Sequence, residues 1–465
     1  MHNVNYKQHV PGFIESQFMR FRPKNGNTFN INNVDNNEIV FDIKTTQKGQ
    51  FIDPKKSYFD FEFTLTRTGG TATNYGLRFE RSAGSIIKGY KIQSGFGLDL
   101  ECVLDYNHVD AMMCIMDSGS DAPTEDGRGA LLGSSYYTNT TLALMPMLRK
   151  DLGAVLCANL NTEAYSNNLA NISTTAFPPH FIHQLRSSLF GVYSTKYIPL
   201  SMMKGLRITL TLNYLKFSLM TTLANYSDTT WTVTVKPVLV AYYITVPAQI
   251  ERQIAQKGKI PIPGIGLRTY RLPTDYTAGT GARERNFILP IKVKSLRAVF
   301  FGFLYSNDGG TGYDHTGADA AAYTPSYNSM QTAYSFAGIL SYQFFLDQRP
   351  TIDTPVDLYP LNMALSSTQL KLALGIDLMD KTGYSHLLKR SMMNSYSDYD
   401  SRQNTYYRNM IYGEGFPGTD MSTFDRVLEL RLQFNIDFPN TGVVMYLYDQ
   451  TLWVDYETGE SFVDK

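Results

Sequence analysis

Residues 50–66, QFIDPKKSYFDFEFTLT, constrain the fold more than any other stretch. After Asp53-Pro54, which the sequence offers as a turn, Phe59, Phe61, Phe63 and Leu65 alternate with Asp60, Glu62, Thr64 and Thr66. Side chains on a strand point alternately to its two faces, so this period of 2 predicts a strand with one buried and one wet face. LRITLTLNYL repeats the pattern, placing Leu206, Ile208, Leu210 and Leu212 on one face. WTVTVKPVLV does the same with Trp231, Val233 and Val235, and Pro237 within it predicts a bulge or an edge position.

Composition agrees with a β protein. Aromatic residues make up 13% of the chain, with 32 Tyr and 27 Phe, and aromatic side chains suit pleated surfaces. At 465 residues the chain exceeds a single core and fits two β domains of ~200 residues each. The 42 basic and 42 acidic residues cancel, so no global field gathers nucleic acid, and sequence-specific nucleic-acid binding is not expected. Three cysteines make no disulfide framework; Cys102 and Cys114 lie in apolar stretches and are expected as buried thiols. The N-terminus has no apolar run of the secretory kind, and no stretch approaches 18 apolar residues. The Asn-x-Ser/Thr triplets at Asn139, Asn171 and Asn225 are read as coincidences in an Asn- and Thr-rich text.

Four regions follow from the pattern. Residues 1–36, with the Asn-rich NGNTFNINNVDNN, predict an extended arm; Phe13, Ile14, Phe18, Arg20, Phe21 and Arg22 are its candidate assembly residues, because its apolar side chains would be awkward in water. A first β region spans 37–246, with strands expected at Glu38–Thr45, Phe59–Thr66, Ser82–Ile92, Ser188–Pro199, Leu206–Leu215 and Trp231–Val246, and an amphipathic segment at Tyr106–Met116. Residues 247–262 predict a helical connector opened by Pro247 and closed by Gly258 and Pro261. A second β region spans 263–465, with strands at Gly266–Leu272, Asn286–Lys294, Leu296–Tyr305, Tyr342–Pro350, Arg426–Phe438 and Gly442–Asp455, a short helix at Ser367–Leu374 and a polar loop at 391–420. The two regions share a pattern but no clear sequence repeat.

The order strand, long loop, strand, polar turn and then LDYNHVDAMM resembles the N-terminal half of double jelly-roll major capsid proteins of tailless icosahedral DNA viruses, the group that includes virophages and polinton-like viruses. YQFFLDQRPTIDTPVDL followed by SSTQLKLALG resembles the strand, Pro turn and helix of their second jelly roll, and VVMYLYDQTLWVDYETGE their closing hairpin. The resemblance implies an all-β fold of two eight-stranded jelly-roll sandwiches in tandem. It also implies a homotrimer with six pillars that tiles an icosahedral shell, long loops as towers, and a virion location after assembly inside the host cell. Neighbouring capsomers, minor capsid or penton proteins and an internal membrane are the partners it implies. No cofactor is expected.

Catalytic signatures are missing: there is no GxSxG, GxxxxGK[ST] or HExxH. Pro263–Gly266 reads as a turn. His180 and His183 are the only close His pair, but Pro178-Pro179 sets an extended entry and no acidic or Cys partner stands nearby in sequence, so no metal is expected. Asp117–Gly129 and Asp308–Asp319 are Asp-rich but lack the bidentate Glu of a calcium loop. Tyr396, Tyr399, Tyr406 and Tyr407 suit a subunit interface or tower loop better than a ligand site. The competing reading is a two-domain carbohydrate-binding or adhesion β-sandwich, and a third is a β-sandwich hydrolase with paired carboxylates.

Overall fold

A computed structural model describes residues 15–31, 37–45, 48–69, 75–79, 83–117, 155–159, 180–213, 219–221, 229–272, 283–304, 334–335, 339–358, 364–375, 411–434, 442–456 and 458–465. Asn139, Asn171, Asn225, Asp308–Asp319 and the tyrosines at 396–407 lie outside the described residues, as does all of Asp117–Gly129 beyond the backbone of Asp117.

The chain forms two β-sandwiches. In the first, one sheet orders β1 (Glu15–Phe21), β12 (Thr229–Thr245), β4 (Gln50–Gly69) and β9 (His180–His183), with β2 (Phe29–Asn30) also on β12. The facing sheet orders β3 (Glu38–Ile43), β10 (Leu206–Leu212), β6 (Ile87–Ser94) and β7 (Asp99–Val103). In the second, one sheet orders β13 (Lys259–Arg271), β22 (Gly442–Asp455), β15 (Leu296–Leu304) and then β16 (Tyr334–Ser335) and β20 (Tyr412–Thr419), with β23 (Ser461–Asp464) on β22. Its partner orders β14 (Arg283–Leu289), β21 (Leu428–Phe434), β17 (Ile339–Leu346) and β18 (Arg349–Pro350), with β19 (Val356–Asp357) on β17. A small sheet, β11 (Leu219–Thr221), β5 (Tyr75–Phe79) and β8 (Val155–Asn159), is built from the insertions of the first half.

The two sandwiches repeat one wiring diagram. Reading β1, β3, β4, β6, β7, β9, β10 and β12 against β13, β14, β15, β17, β18/β19, β20, β21 and β22 gives the same sheet order in both halves. Helix α1 (Tyr106–Asp117) follows β7 as helix α3 (Ala364–Ala373) follows β19, and α2 (Ala248–Ala255) joins the halves. Eight strands in two sheets is the jelly-roll count.

The alternation in β4 works as expected: Phe59, Phe61 and Phe63 are fully buried, while Asp60, Glu62 and Thr64 are partly exposed. Asp53-Pro54 does not end the strand. Asp53 pairs with Tyr242 and Tyr58 with Val240, so residues 54–57 bulge opposite Ala241 alone. The Asp53 carboxylate accepts from the Lys55 N–H at 3.1 Å, and the Ser57 hydroxyl accepts from the Tyr242 N–H at 3.0 Å, which satisfies the backbone the bulge unpairs. Pro237 pairs with Phe61 on one side; on the other it falls between the β1 pairings, which stop at Leu239, and the β2 pairings at Thr234 and Val235, where no ladder needs its missing N–H.

β22 has an apolar text, VVMYLY, because both its faces are buried. Val444, Tyr446 and Tyr448 enter the core of the second sandwich, while Val443 and Met445 enter a core shared with the first. β15 divides likewise: Val299, Phe301 and Phe303 go inward, Ala298 and Phe300 toward the shared core, where Leu370 and Ala373 of α3 also pack. The two jelly rolls are therefore joined by one continuous apolar cluster rather than by a flexible tether.

Several expected elements differ. Residues 15–21 of the expected arm form β1, paired along its whole length with β12, and Ile31 is fully buried. Residues 83–86 open as a 3-10 turn before β6. Ser188–Pro199 is irregular and meets the sheet at the Ile52–Ile198 bridge: Ser188 and Leu189 turn their N–H groups, and Ser188 its hydroxyl, to Glu101, and the N–H groups of Phe190, Gly191, Val192 and Ser194 bond within residues 185–194. Pro261 and Pro263–Gly266 lie inside β13, whose Gly264 and Gly266 allow close approach of Ser188 and Tyr448 rather than a turn. The strand after Tyr342 turns at Asp347-Gln348, both at positive φ, the mark of a two-residue hairpin, and Pro350 sits in β18. β20 occupies 412–419 of the expected polar loop.

Candidate assembly surface

The first outward feature grows from β1. Glu15, Ser16, Phe18 and Arg20 are exposed, while Met19 and Phe21 turn toward the core, where Phe21 stacks on Tyr243 at 6.0 Å. Phe18 is 57% exposed and lies on the outer face of the sheet, 4.7 Å from the Tyr242 ring and 6.5 Å from Tyr58. The bulge in β4 lifts Lys56 over the same platform, its ammonium 4.4 Å from the Tyr242 centroid. Of the sequence-derived assembly residues, then, Phe18, Arg20 and Arg22 are exposed, Phe21 is structural, and Phe13 and Ile14 lie outside the described residues.

A second outward feature belongs to the second sandwich. The loop between β20 and β21 presents Phe424 at 99% exposure, with Val427 and Ile288 also exposed. Sequence reasoning passed over Phe424; the available signal was a lone aromatic in the polar run STFDR. Near the connector, Phe96, Leu98 and Phe462 are about half exposed, with Lys204 4.5 Å from the Phe96 ring and Lys259 5.8 Å from Phe462.

Between the sandwiches lies a sealed polar seam. Glu101 on β7 is buried and accepts from the Tyr90 hydroxyl at 2.7 Å, the Ser187 hydroxyl at 2.8 Å and the Ser188 hydroxyl at 3.1 Å. Gln450 of β22 donates to that same Ser188 hydroxyl, which carries the network across the junction. Burial pushes the Glu101 carboxyl up although these donors pull it down.

The two histidines part company. His183 is buried, bonded through Nε2 to the Tyr106 hydroxyl at 3.0 Å, and burial lowers its pKa. His180 faces outward, its Nδ1 2.9 Å from Asp60 and its Nε2 3.8 Å from Glu62. Acidic partners do stand beside His180, supplied by the neighbouring strand β4, where a reading along the chain could not see them. At i and i+3 on a strand the two rings point to opposite faces, so the pair shares no ligand. Among the described residues no group of three or more His, Cys, Asp or Glu side chains could hold a metal ion. Cys102, expected inside, is exposed on β7, whose buried positions are Leu100, Glu101 and Val103. The Cys114 side chain lies outside the described residues.

No family model matches the sequence, and no curated protein matches it. Solved structures do. A chain of the Sputnik virophage structure superposes with a TM-score of 0.56 at 11% identity, over 97% of this chain and 88% of that one. A chain of the PBCV-1 virus capsid gives 0.55 at 11% identity over 99% of each. This chain has the fold of viral capsid proteins. The mavirus major capsid protein gives 0.52 at 11% identity, over 99% of this chain and 93% of that one, so the likeness takes in both jelly rolls and their order.

Proposed function

We propose that this chain is the major capsid protein of a tailless icosahedral DNA virus, assembling as a homotrimer that tiles the shell. The observation that carries the reading is the whole-length likeness to capsid chains, with both sandwiches in one order. The internal geometry is consistent with it. Two sandwiches of one topology, fused through a shared core, give each subunit two similar rigid pillars. Three such subunits give six, so a threefold particle can occupy a sixfold position in a hexagonal lattice.

The mechanism is self-association rather than chemistry. Exposed aromatic features on the first and second sandwiches, Phe18 with Tyr242 and Phe424 with Ile288, supply contact surface, and many modest contacts across a lattice sum to a stable shell. The partners are further copies of the chain, with minor capsid or penton proteins at special positions and an internal membrane as a further contact of the N-terminal segment. The place of work is the virion. Light scattering on the purified chain tests the reading: a particle of three times the 52.5 kDa chain mass is expected. A monomer that persists on concentration and binds selected sugars on a glycan array would replace it with the carbohydrate-binding reading.

A further inference from the structure

In the seam between the sandwiches, Ser188 is a buried hydroxyl placed as a nucleophile. It is 1% exposed, and Glu101 and Gln450 beside it are each 3% exposed. The Ser188 hydroxyl donates to the Glu101 carboxylate at 3.1 Å, so its proton already points at a base. That base is fixed in turn: it accepts from the Tyr90 and Ser187 hydroxyls at 2.7 and 2.8 Å and from the Leu189 N–H at 3.3 Å. Burial raises the Glu101 pKa, which makes the carboxylate a better proton acceptor than a solvated one. On the other side of the same Ser188 oxygen stands an electrophile. The Gln450 carboxamide nitrogen donates to Ser188 Oγ, which leaves the amide carbon one covalent bond beyond that contact. Gly264 pairs with Gln450 in the ladder, and a Cβ there would stand 2.7 Å from the Ser188 Cβ, so the missing side chain is the room that Ser188 takes. The carboxamide is poorly used as a hydrogen-bonding group, since its Oε1 is buried without a partner among the described residues. Buried side-chain oxygens are mostly paired, and an ester oxygen, being a weaker acceptor than an amide oxygen, loses less by staying bare.

We propose that Ser188 Oγ attacks the side-chain carbonyl carbon of Gln450, so that the chain joins its two sandwiches by an internal ester. The Ser188 O–H bond breaks, its proton passes to Glu101, and the Oγ–Cδ bond forms. The Cδ–Nε2 bond then breaks, Glu101 hands the proton to the departing nitrogen, and one ammonia leaves. Nothing is oxidised or reduced, and no further reactant enters. Glu101 is the catalytic base and then the acid, while Tyr90 and Ser187 are positioning residues that hold its two oxygens. Nucleophile, base and electrophile held together by the fold replace a chance encounter, and the sealed seam keeps water from the ester once it has formed. Ser188 belongs to the first sandwich and Gln450 to β22 of the second, so the product is a covalent tie across the junction that the shared core already packs.

Mass spectrometry of the full-length chain, folded and then denatured, is the test. The wild-type chain weighs one ammonia less than its sequence and runs ahead of Ser188→Ala on a denaturing gel. Trypsin, cutting after Arg186, Lys196 and Arg431, leaves residues 187–196 and 432–465 as one joined species. Hydroxylamine, which cleaves esters and spares amides, separates the two. Ser188→Ala and Gln450→Met each keep the full mass of their own sequences, and Glu101→Gln, which lacks the base, stays unlinked. The wild-type mass decides the matter even where a variant fails to fold. A wild-type chain of full mass that yields the two peptides separately, in fresh and aged samples alike, would overturn the ester and leave a hydrogen bond in its place. Ammonia lost with the two peptides still separate would overturn it as well, by placing the loss at another amide.

Discussion

Glu414 shows how one residue sets the behaviour of its surroundings. It lies buried on β20 with one carboxyl oxygen without a partner among the described residues, and a hydrogen bond from Thr351 favours its ionised form. Burial raises its pKa from 4.5 to about 7. A carboxyl that ionises more readily unfolded than folded adds most stability at low pH. That contribution falls as pH rises from 4.5 to about 7, by about 1.4 kcal/mol per unit, and is level above. Glu414→Gln should therefore stabilise the chain by at most about 3.5 kcal/mol at pH 8 and change little at pH 4.5. Denaturant melts of both forms across that range check it, and parallel curves would contradict it. His108 has the opposite sign: buried and neutral, its pKa is lowered to about 3, so its contribution is whole above 6.5 and fades as pH falls toward 3. Neither value could be read from the sequence, because each depends on burial by strands distant in the chain.

At the scale of elements, period-2 strands were legible and their context was not. Phe59, Phe61 and Phe63 in β4 and Leu206, Ile208 and Leu210 in β10 fall on the face their alternation predicts. Ser188–Pro199 also looks strand-like, yet Glu101 from another element claims its polar groups. β1 was the harder case. Its text alternates weakly because one face meets the core through Met19 and Phe21 while the other keeps Phe18 in solvent. The counterpart of β1 in the second sandwich is β13, a full member of its sheet. Deleting residues 1–36 removes β1, β2 and buried Ile31 and leaves β12 without its neighbour on that side. That truncation should lower thermal stability and yield aggregated protein, because an open apolar strand edge invites pairing. If the 1–36 deletion melts unchanged, β1 is dispensable and the arm functions only between subunits.

For the whole molecule, the consequential feature is the core that crosses from one jelly roll to the other. Val443, Met445, Ala298 and Phe300 of the second sandwich belong to the same apolar cluster as Phe59 and Ile208 of the first, and the Glu101–Ser188–Gln450 seam seals it. Domains joined in this way unfold together, so scanning calorimetry should record one transition, and two separated transitions would mean independent pillars. The repeat of topology between halves was invisible as a sequence repeat, since a jelly roll is specified by strand order and alternation, not by particular residues. The exposed aromatic features were only partly legible: Phe18 and Arg20 stand out in the sequence, while the exposure of Phe424 and the placing of Lys56 over Tyr242 depend on a loop and a bulge. The measurement that bears most directly on the account is electron microscopy of the purified chain, with class averages of the main particle. A threefold particle with six lobes and a hexagonal outline is the result the account predicts. A two-lobed particle of single-chain size at every concentration would contradict it.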